Sequence, residues 1–190
     1  KVWFQAGASG MPGYFQLPIA YGNFSHPEQF EPDLNITWGA PVLIADMQGG
    51  MSAVRMPDGS LARATGAAGN DIFRGDRLPK ELVCDSFYGE VVARIVRRLT
   101  PVKHEGLTQL KNAYPLSEFL RSTDPLFRPV AITNAPDGSL YLMDMYTGII
   151  QDAQFVGPNS YLRRKVEQLA LDKQHNWGRI WRITAKGRPL

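Results

Sequence analysis

Four charges fall within seven residues at Asp71, Arg74, Asp76 and Arg77, on either side of the apolar pair Ile72-Phe73. Set around the mouth of a channel, such carboxylates and guanidinium groups can hold a polar ligand by charge-assisted hydrogen bonds. The same residues also suit structural work. Asp76 and Arg77 can be turn residues ahead of Pro79, and Arg74 a salt bridge between neighbouring units. Asp144 and Tyr146 follow an apolar strand and are expected to reach the same end as that first group. Asp144 could ligate calcium, but this ion takes six or more oxygens and one carboxylate does not make a site. Arg128 stands just ahead of a P-D-G turn, where pairing with Asp124 or Asp144 would close the local structure.

Other reactive side chains are few. Cys84 is the single cysteine, so no disulfide and no Cys-based zinc cluster forms within these residues. No C-x-x-C-H motif is present, so no covalent haem belongs to this segment. Leu82-Val83-Cys84-Asp85-Ser86-Phe87 looks strand-like, where a cysteine is expected as a small buried hydrophobe. His104 is expected in a polar loop and His175 at the end of a helix, both as surface or packing residues.

These side chains need strands to position them. Val130 and Ile132 alternate with Ala131 and Thr133, Pro136-Asp137-Gly138 supplies turn chemistry, and Leu140, Leu142 and Met145 resume the apolar pattern. That combination predicts a β-hairpin. Met56-Pro57-Asp58-Gly59-Ser60-Leu61 repeats the turn, and Arg94-Ile95-Val96-Arg97 is echoed by Arg179-Ile180-Trp181-Arg182. Repeated hairpins joined by variable insertions predict an all-β fold made of β-propeller blades. Two helical pieces interrupt it. A single turn is expected over 115–121 with Ser117 as its cap. An amphipathic helix is expected over 159–175, with Leu162, Val166 and Leu169 facing inward and Arg163, Arg164, Lys165 and Glu167 facing water.

Residues 1–50 are the least regular. Glycine and proline break them into short pieces, while Trp3, Phe4, Tyr14, Phe15, Tyr21 and Phe24 suggest a packed loop or blade segment. Asn35–Trp38 and Pro41–Ile44 can each be a strand. Asn23-Phe24-Ser25 and Asn35-Ile36-Thr37 fit the glycosylation acceptor pattern, which is common by chance. Residues 51–190 are assigned to the later blades. At roughly 40–45 residues per blade, the 190 residues hold about four blades or fewer. The chain is therefore expected to be a fragment of a longer polypeptide. Lys1 is no initiator, and Val2-Trp3-Phe4-Gln5 enters like the middle of a strand. A compact β-domain complete in itself is the alternative.

Charge excludes little. Net charge is +3, from 21 basic and 18 acidic residues. Arg94, Arg97, Arg98 and Lys103 make one basic cluster and Arg163-Arg164-Lys165 another. Both alternate with apolar residues or sit on a helix, so solvated faces are expected rather than a nucleic-acid surface. No run of 18 apolar residues exists, so no membrane span is expected in this segment.

Several motifs come in a fixed order: Gly69-Asn70-Asp71-Ile72-Phe73-Arg74-Gly75-Asp76-Arg77-Leu78-Pro79, Phe87-Tyr88-Gly89-Glu90, the block from Phe127 to Tyr146, and Gly178-Arg179-Ile180-Trp181-Arg182-Ile183. As an ordered set, over roughly residues 50–185, they resemble the later blades of six-bladed sugar-dehydrogenase-type propellers. That group includes aldose and sorbosone dehydrogenase-like proteins and large bacterial membrane-bound dehydrogenase-like proteins with an associated cytochrome c. Ser122-Thr123-Asp124-Pro125-Leu126-Phe127-Arg128-Pro129-Val130 and the long insertion before Gly178 make the likeness to the last of these the strongest.

The resemblance implies an exported protein, periplasmic or extracellular, that oxidises a sugar or alcohol by hydride transfer to pyrroloquinoline quinone. Calcium would bind nearby, and the electrons would pass to a cytochrome c domain or to other subunits of an electron-transfer assembly. Arg128 falls where relatives place a cofactor-contacting arginine, and a guanidinium suits the carboxylates of that quinone. Arg74, Asp71, Asp144 and Tyr146 are candidate ligand contacts at the channel mouth on their charge and position alone, beside the structural roles given above. Two departures weaken this. A lysine expected after Phe87-Tyr88-Gly89 is replaced by Val91, Val92 and Ala93. His26, His104 and His175 do not match the family's general base, which is expected outside this chain. The alternative function is a propeller that has lost its cofactor contacts and serves as a scaffold or subunit-binding module.

Overall fold

The computed structural model describes residues 36–40, 61–63, 66–104, 107–150, 157–159 and 161–188. The described chain is mostly antiparallel β-structure with one α-helix, so the all-β expectation holds. In chain order the strands are β1 (Ile36–Thr37), β2 (Leu61–Arg63), β3 (Ala67–Ile72), β4 (Ser86–Glu90), β5 (Ile95–His104) and β6 (Leu107–Asn112). They continue with β7 (Leu120–Arg121), β8 (Pro129–Asn134), β9 (Leu140–Asp144) and β10 (Arg179–Ile183), with helix α1 (Tyr161–Gln168) before the last.

Two sheets carry the architecture. The first is the meander β3-β4-β5-β6, with β7 taking up the edge of β5 beside Ile95 and Val96, where β6 has left it. The second is β8-β9-β10. A short β1-β2 pair makes a separate two-stranded sheet. The turn expected at 136–138 closes the β8–β9 hairpin, which pairs Asn134 with Leu140 next to the turn and Pro129 with Asp144 at the far end. Asp137 builds this turn, since its Oδ1 accepts hydrogen bonds from the backbone N–H and the hydroxyl of Ser139. The earlier Pro57-Asp58-Gly59 turn lies outside the described residues.

The core lies between the two sheets. Phe73, Phe87 and Val96 from the first sheet and its flanks meet Phe127, Ile132, Leu140 and Leu142 from the second. Phe73 and Phe87 pack edge to face at 6.5 Å. The sheets come close because glycines face the backbone of β8. A Cβ on Gly69 would overlap the Ala131 backbone, and one on Gly89 would sit 2.5 Å from the Pro129 carbonyl oxygen. Gly69 also has φ +53°, a left-handed conformation that glycine adopts without strain. Gly69 lies on Ala131 and Asp71 bonds Thr133, so β3 and β8 run in the same direction across the interface.

Four local expectations are corrected. The helix is shorter than 159–175: α1 ends at Gln168, Ala170 takes the left-handed conformation at φ 50°, and Leu171–Lys173 forms a separate 3-10 turn. Val166 is buried but Leu169 is exposed, because the helix has ended before Leu169 can complete the stripe. Residues 115–117 make a turn with Leu116 at φ 55°, not a helical turn, and β7 follows. Cys84 is exposed and sits at φ 74° in the turn between the 3-10 segment Lys80–Leu82 and β4, so it is not a buried strand residue. His104 ends β5 instead of lying in a loop, whereas His175 is exposed, in keeping with its surface reading. Residues 1–35, with His26, the Asn23 triplet and the early aromatics, lie outside the described residues, as does Pro41–Ile44.

Candidate functional site

The hairpin β8–β9 sorts the candidate residues into two groups. Asp71 and Arg74 lie at its turn end, and Arg128, Asp144 and Tyr146 at its open end. The six residues of β8 separate them by about 17 Å, at the ordinary rise per strand residue. The expectation that Asp144 and Tyr146 share an end with Asp71 is therefore overturned. The physical reason is antiparallel pairing, which carries the chain back along β9 to the start of β8.

At the turn end, Asp71 is a clamp between the sheets. Its Oδ2 accepts hydrogen bonds from the Asn134 backbone N–H at 3.0 Å, the Asn134 side-chain amide at 2.8 Å and the Thr133 hydroxyl at 3.3 Å. Its Oδ1 accepts the Ile72 N–H. Burial works to raise the carboxyl pKa, but the bonds from Asn134, Ile72 and Thr133 outweigh it and hold Asp71 below the ordinary value. Asn134 reciprocates, its Oδ1 accepting the Arg74 N–H at 2.7 Å. Arg74 is largely exposed and pairs with Asp71, three residues earlier, at 3.6 Å, so it is not the salt bridge between units allowed by the sequence. Arg77 does cross: its backbone N–H donates to the Gly138 carbonyl and its Nε to the Asp137 carbonyl.

At the open end, Asp144 is a hub 2% exposed. Its Oδ1 accepts the backbone N–H groups of Arg128 at 2.7 Å and Tyr146 at 2.8 Å, and its Oδ2 accepts the Trp181 indole N–H at 2.9 Å. The Tyr146 hydroxyl donates to Asp124 Oδ2 at 2.8 Å, and this bond, with burial, raises the phenol pKa. A phenol held protonated in this way is a donor, not a base. The Arg179 guanidinium covers the Tyr146 ring at 3.5 Å from its centroid.

Arg128 is 5% exposed. Its guanidinium donates to three backbone carbonyls: Val91 at 2.9 Å, Thr147 at 3.2 Å and Gly148 at 2.7 Å. The anticipated side-chain pairing with Asp124 or Asp144 is replaced by this carbonyl cage, and only the Arg128 backbone N–H reaches Asp144. Three of the five guanidinium N–H groups are spent on these carbonyls. The described contacts give Arg128 a structural task, mooring backbone at the open end of the hairpin, and no reaction step is routed through it. Among the described residues, no three of His, Cys, Asp and Glu gather to hold a metal ion.

The basic cluster at 94–98 brings a further correction. Arg94 and Arg97 are buried at 1% and 0% exposure, not solvated. Arg94 donates to the Val92 and Pro125 carbonyls. Arg97 lies on the face of β5 opposite the core, opposite Tyr88, and forms a bidentate pair with Glu118. Glu118 Oε1 also accepts the Trp38 N–H at 2.9 Å, which ties the residues after β1 to the first sheet. Burial pushes the Tyr88 phenol up to about 12. Burial raises the Glu118 carboxyl while Arg97 opposes it, and the pair with Glu118 overcomes burial to raise Arg97. One sequence signal could have found this pair. Ile95 and Leu99 flank Arg97 on one face, so that face had to be covered.

Stacked antiparallel sheets, with carboxylates and guanidinium groups spent on bonds within and between them, define an all-β module built around polar clamps. A family model described as a domain of unknown function (DUF7133) matches residues 16–187, and the chain belongs to that family. No curated protein and no solved structure matches the chain. No helix among the described residues is long and apolar enough to cross a membrane.

Proposed function

We propose that this chain contributes consecutive blades to a β-propeller of the sugar-dehydrogenase type. The parent would be an exported bacterial protein, periplasmic or extracellular, that oxidises a sugar or alcohol and passes electrons to cytochrome c. The observation that carries this reading is the codirectional stacking of β3 on β8. Each strand opens its sheet's meander, as the innermost strands of successive blades would. The order of the sequence motifs supports the same reading. Pyrroloquinoline quinone and calcium would then be held mainly by parts of the polypeptide outside the described residues. The contribution of this chain is rigidity, with Asp71 and Arg128 fixing one blade against the next and Asp144 closing the second blade.

A second reading has its own observation. The carbonyl cage around Arg128, with Val91, Val92 and Ala93 where a lysine is expected, favours a scaffold that kept the fold and lost the cofactor contacts. Titrating the intact parent polypeptide with pyrroloquinoline quinone and calcium, followed by absorbance, separates the two. Saturable binding with dye-linked sugar or alcohol oxidation is the expected result. A folded parent that binds no quinone would leave the scaffold reading standing.

A further inference from the structure

We propose that β10 is a pairing edge, along which two copies of this chain join antiparallel into one continuous sheet. The strand is the third of its meander, as β5 is of the first. Along the outer side of β5 run β6 and then β7. Among the described residues β10 pairs only with β9, and Arg179 to Arg182 are all exposed. Its outward N–H and C=O groups therefore stand open to another strand. The opposite edges of the two sheets are blunted. β3 and β8 both carry register shifts, and β8 begins at Pro129. β10 has no proline and keeps unbroken register with β9 over its five residues. An edge this regular is a template for pairing.

The strand's own sequence selects a second copy as the occupant. Antiparallel pairs alternate in spacing, so a twofold axis must fall on a residue that faces itself. Only an axis at Trp181 pairs all five residues, Arg179-Ile180-Trp181-Arg182-Ile183. That register sets Arg179 against the partner's Ile183, and Ile180 against the partner's Arg182. No arginine opposes another. The two indoles meet at the axis, on the face each shares with its own Leu142. Charge agrees with this choice. Arg182 lies 3.5 Å from Asp137, and Arg179 stands opposite Asp144 in the register with β9. The edge thus brings no net charge against its own copy, and an acidic strand would find these arginines already matched. A contact of five residues per copy falls below the roughly 1,200 Å² of stable interfaces. The dimer is therefore weak, forms at high micromolar concentration and leaves β10 free in dilute solution. It draws on no part of the dehydrogenase reading.

Sedimentation velocity on the full chain, from low micromolar to millimolar concentration, should show monomer passing into dimer. Ile180→Lys sets a lysine against the partner's Arg182 and should weaken association by about tenfold or more. Ile180→Glu places the opposite charge at the same point and should preserve it. A second test reads the register directly. Cys84 is exposed, so it is first replaced as Cys84→Ser. In that background Trp181→Cys brings two thiols across the axis within disulfide distance, and mild oxidation should give a covalent dimer. Ile180→Cys should not crosslink to itself, but should do so when mixed with Arg182→Cys. Monomer at every concentration overturns the proposal. So does a dimer that Ile180→Lys leaves intact or that Trp181→Cys cannot lock. Slow amide exchange along β10 in a monomeric parent polypeptide also overturns it, since another segment of the parent would then hold this edge.

Discussion

The two sheets solve the same problem to different extents. In the first, both faces of β5 are closed. Val96 enters the core, and on the opposite face Ile95 and Arg97 are fully buried. In the second, β10 exposes four consecutive residues, Arg179 to Arg182, with Ile180 at 70% and Trp181 at 42%. The sequences of the two strands are close echoes, Arg-Ile-Val-Arg and Arg-Ile-Trp-Arg. Position in the assembly, not residue type, therefore decides which arginine is buried. An arginine can be buried where a carboxylate and backbone carbonyls wait for it. At the sheet edge, the counterpart of Arg94, Arg179, stacks on the Tyr146 and Trp181 rings, and the counterpart of Arg97, Arg182, makes an exposed 3.5 Å pair with Asp137.

The comparison can be broken most forcefully at Arg97. Arg97→Met leaves the Glu118 carboxylate buried without its partner and should cost roughly 3–5 kcal/mol in urea unfolding. Adding Glu118→Leu should recover most of that loss. If Arg97→Met were as harmless as Arg182→Met, the contrast between the sheets would fail. Gly69→Ala comes next. Its methyl would strike the Ala131 backbone, and a loss of about 1–3 kcal/mol is expected from overpacking, with left-handed strain added.

Acid sharpens the contrast at Asp71. Its folded pKa lies below the ordinary 3.8, so the folded state favours the ionised form. The stability it supplies is complete above that ordinary value and is lost as pH falls through the lower folded one. Asp71→Asn should remove this part of the acid dependence, measured as unfolding midpoints across the acid range. The smallest effect is expected at the edge. Ile180→Lys should move stability by no more than about 0.5 kcal/mol, as for other exposed positions, while improving solubility. A larger loss would show that β10 is covered in solution.

The sequence made the β8–β9 hairpin legible because alternation and turn chemistry agree over Val130 to Leu142. It also placed α1, though not its end, since nothing in Ala170 signals a left-handed residue. The site was read less well. Asp71 and Asp144 were recognised as special, but strand direction, which puts them at opposite ends, depends on pairing that no local pattern encodes. Arg97 was read as solvated because its partner Glu118 lies in a loop beyond β6. Arg128 was singled out for its charge, whereas its guanidinium serves carbonyls from two separate loops, a long-range arrangement invisible to composition or spacing.

The arginine cage has a consequence for how this chain can vary. Val91, Thr147 and Gly148 converge on Arg128, so the backbone leaving β9 is moored at one point before the insertion begins. Leu171 returns onto Gly148, where even a methyl would collide with it, and Gln174 accepts the Thr147 hydroxyl. Departure and return thus share a single berth. Chain inserted between them can lengthen, shorten or acquire new recognition residues while the register of β9 with β10 stays as it is.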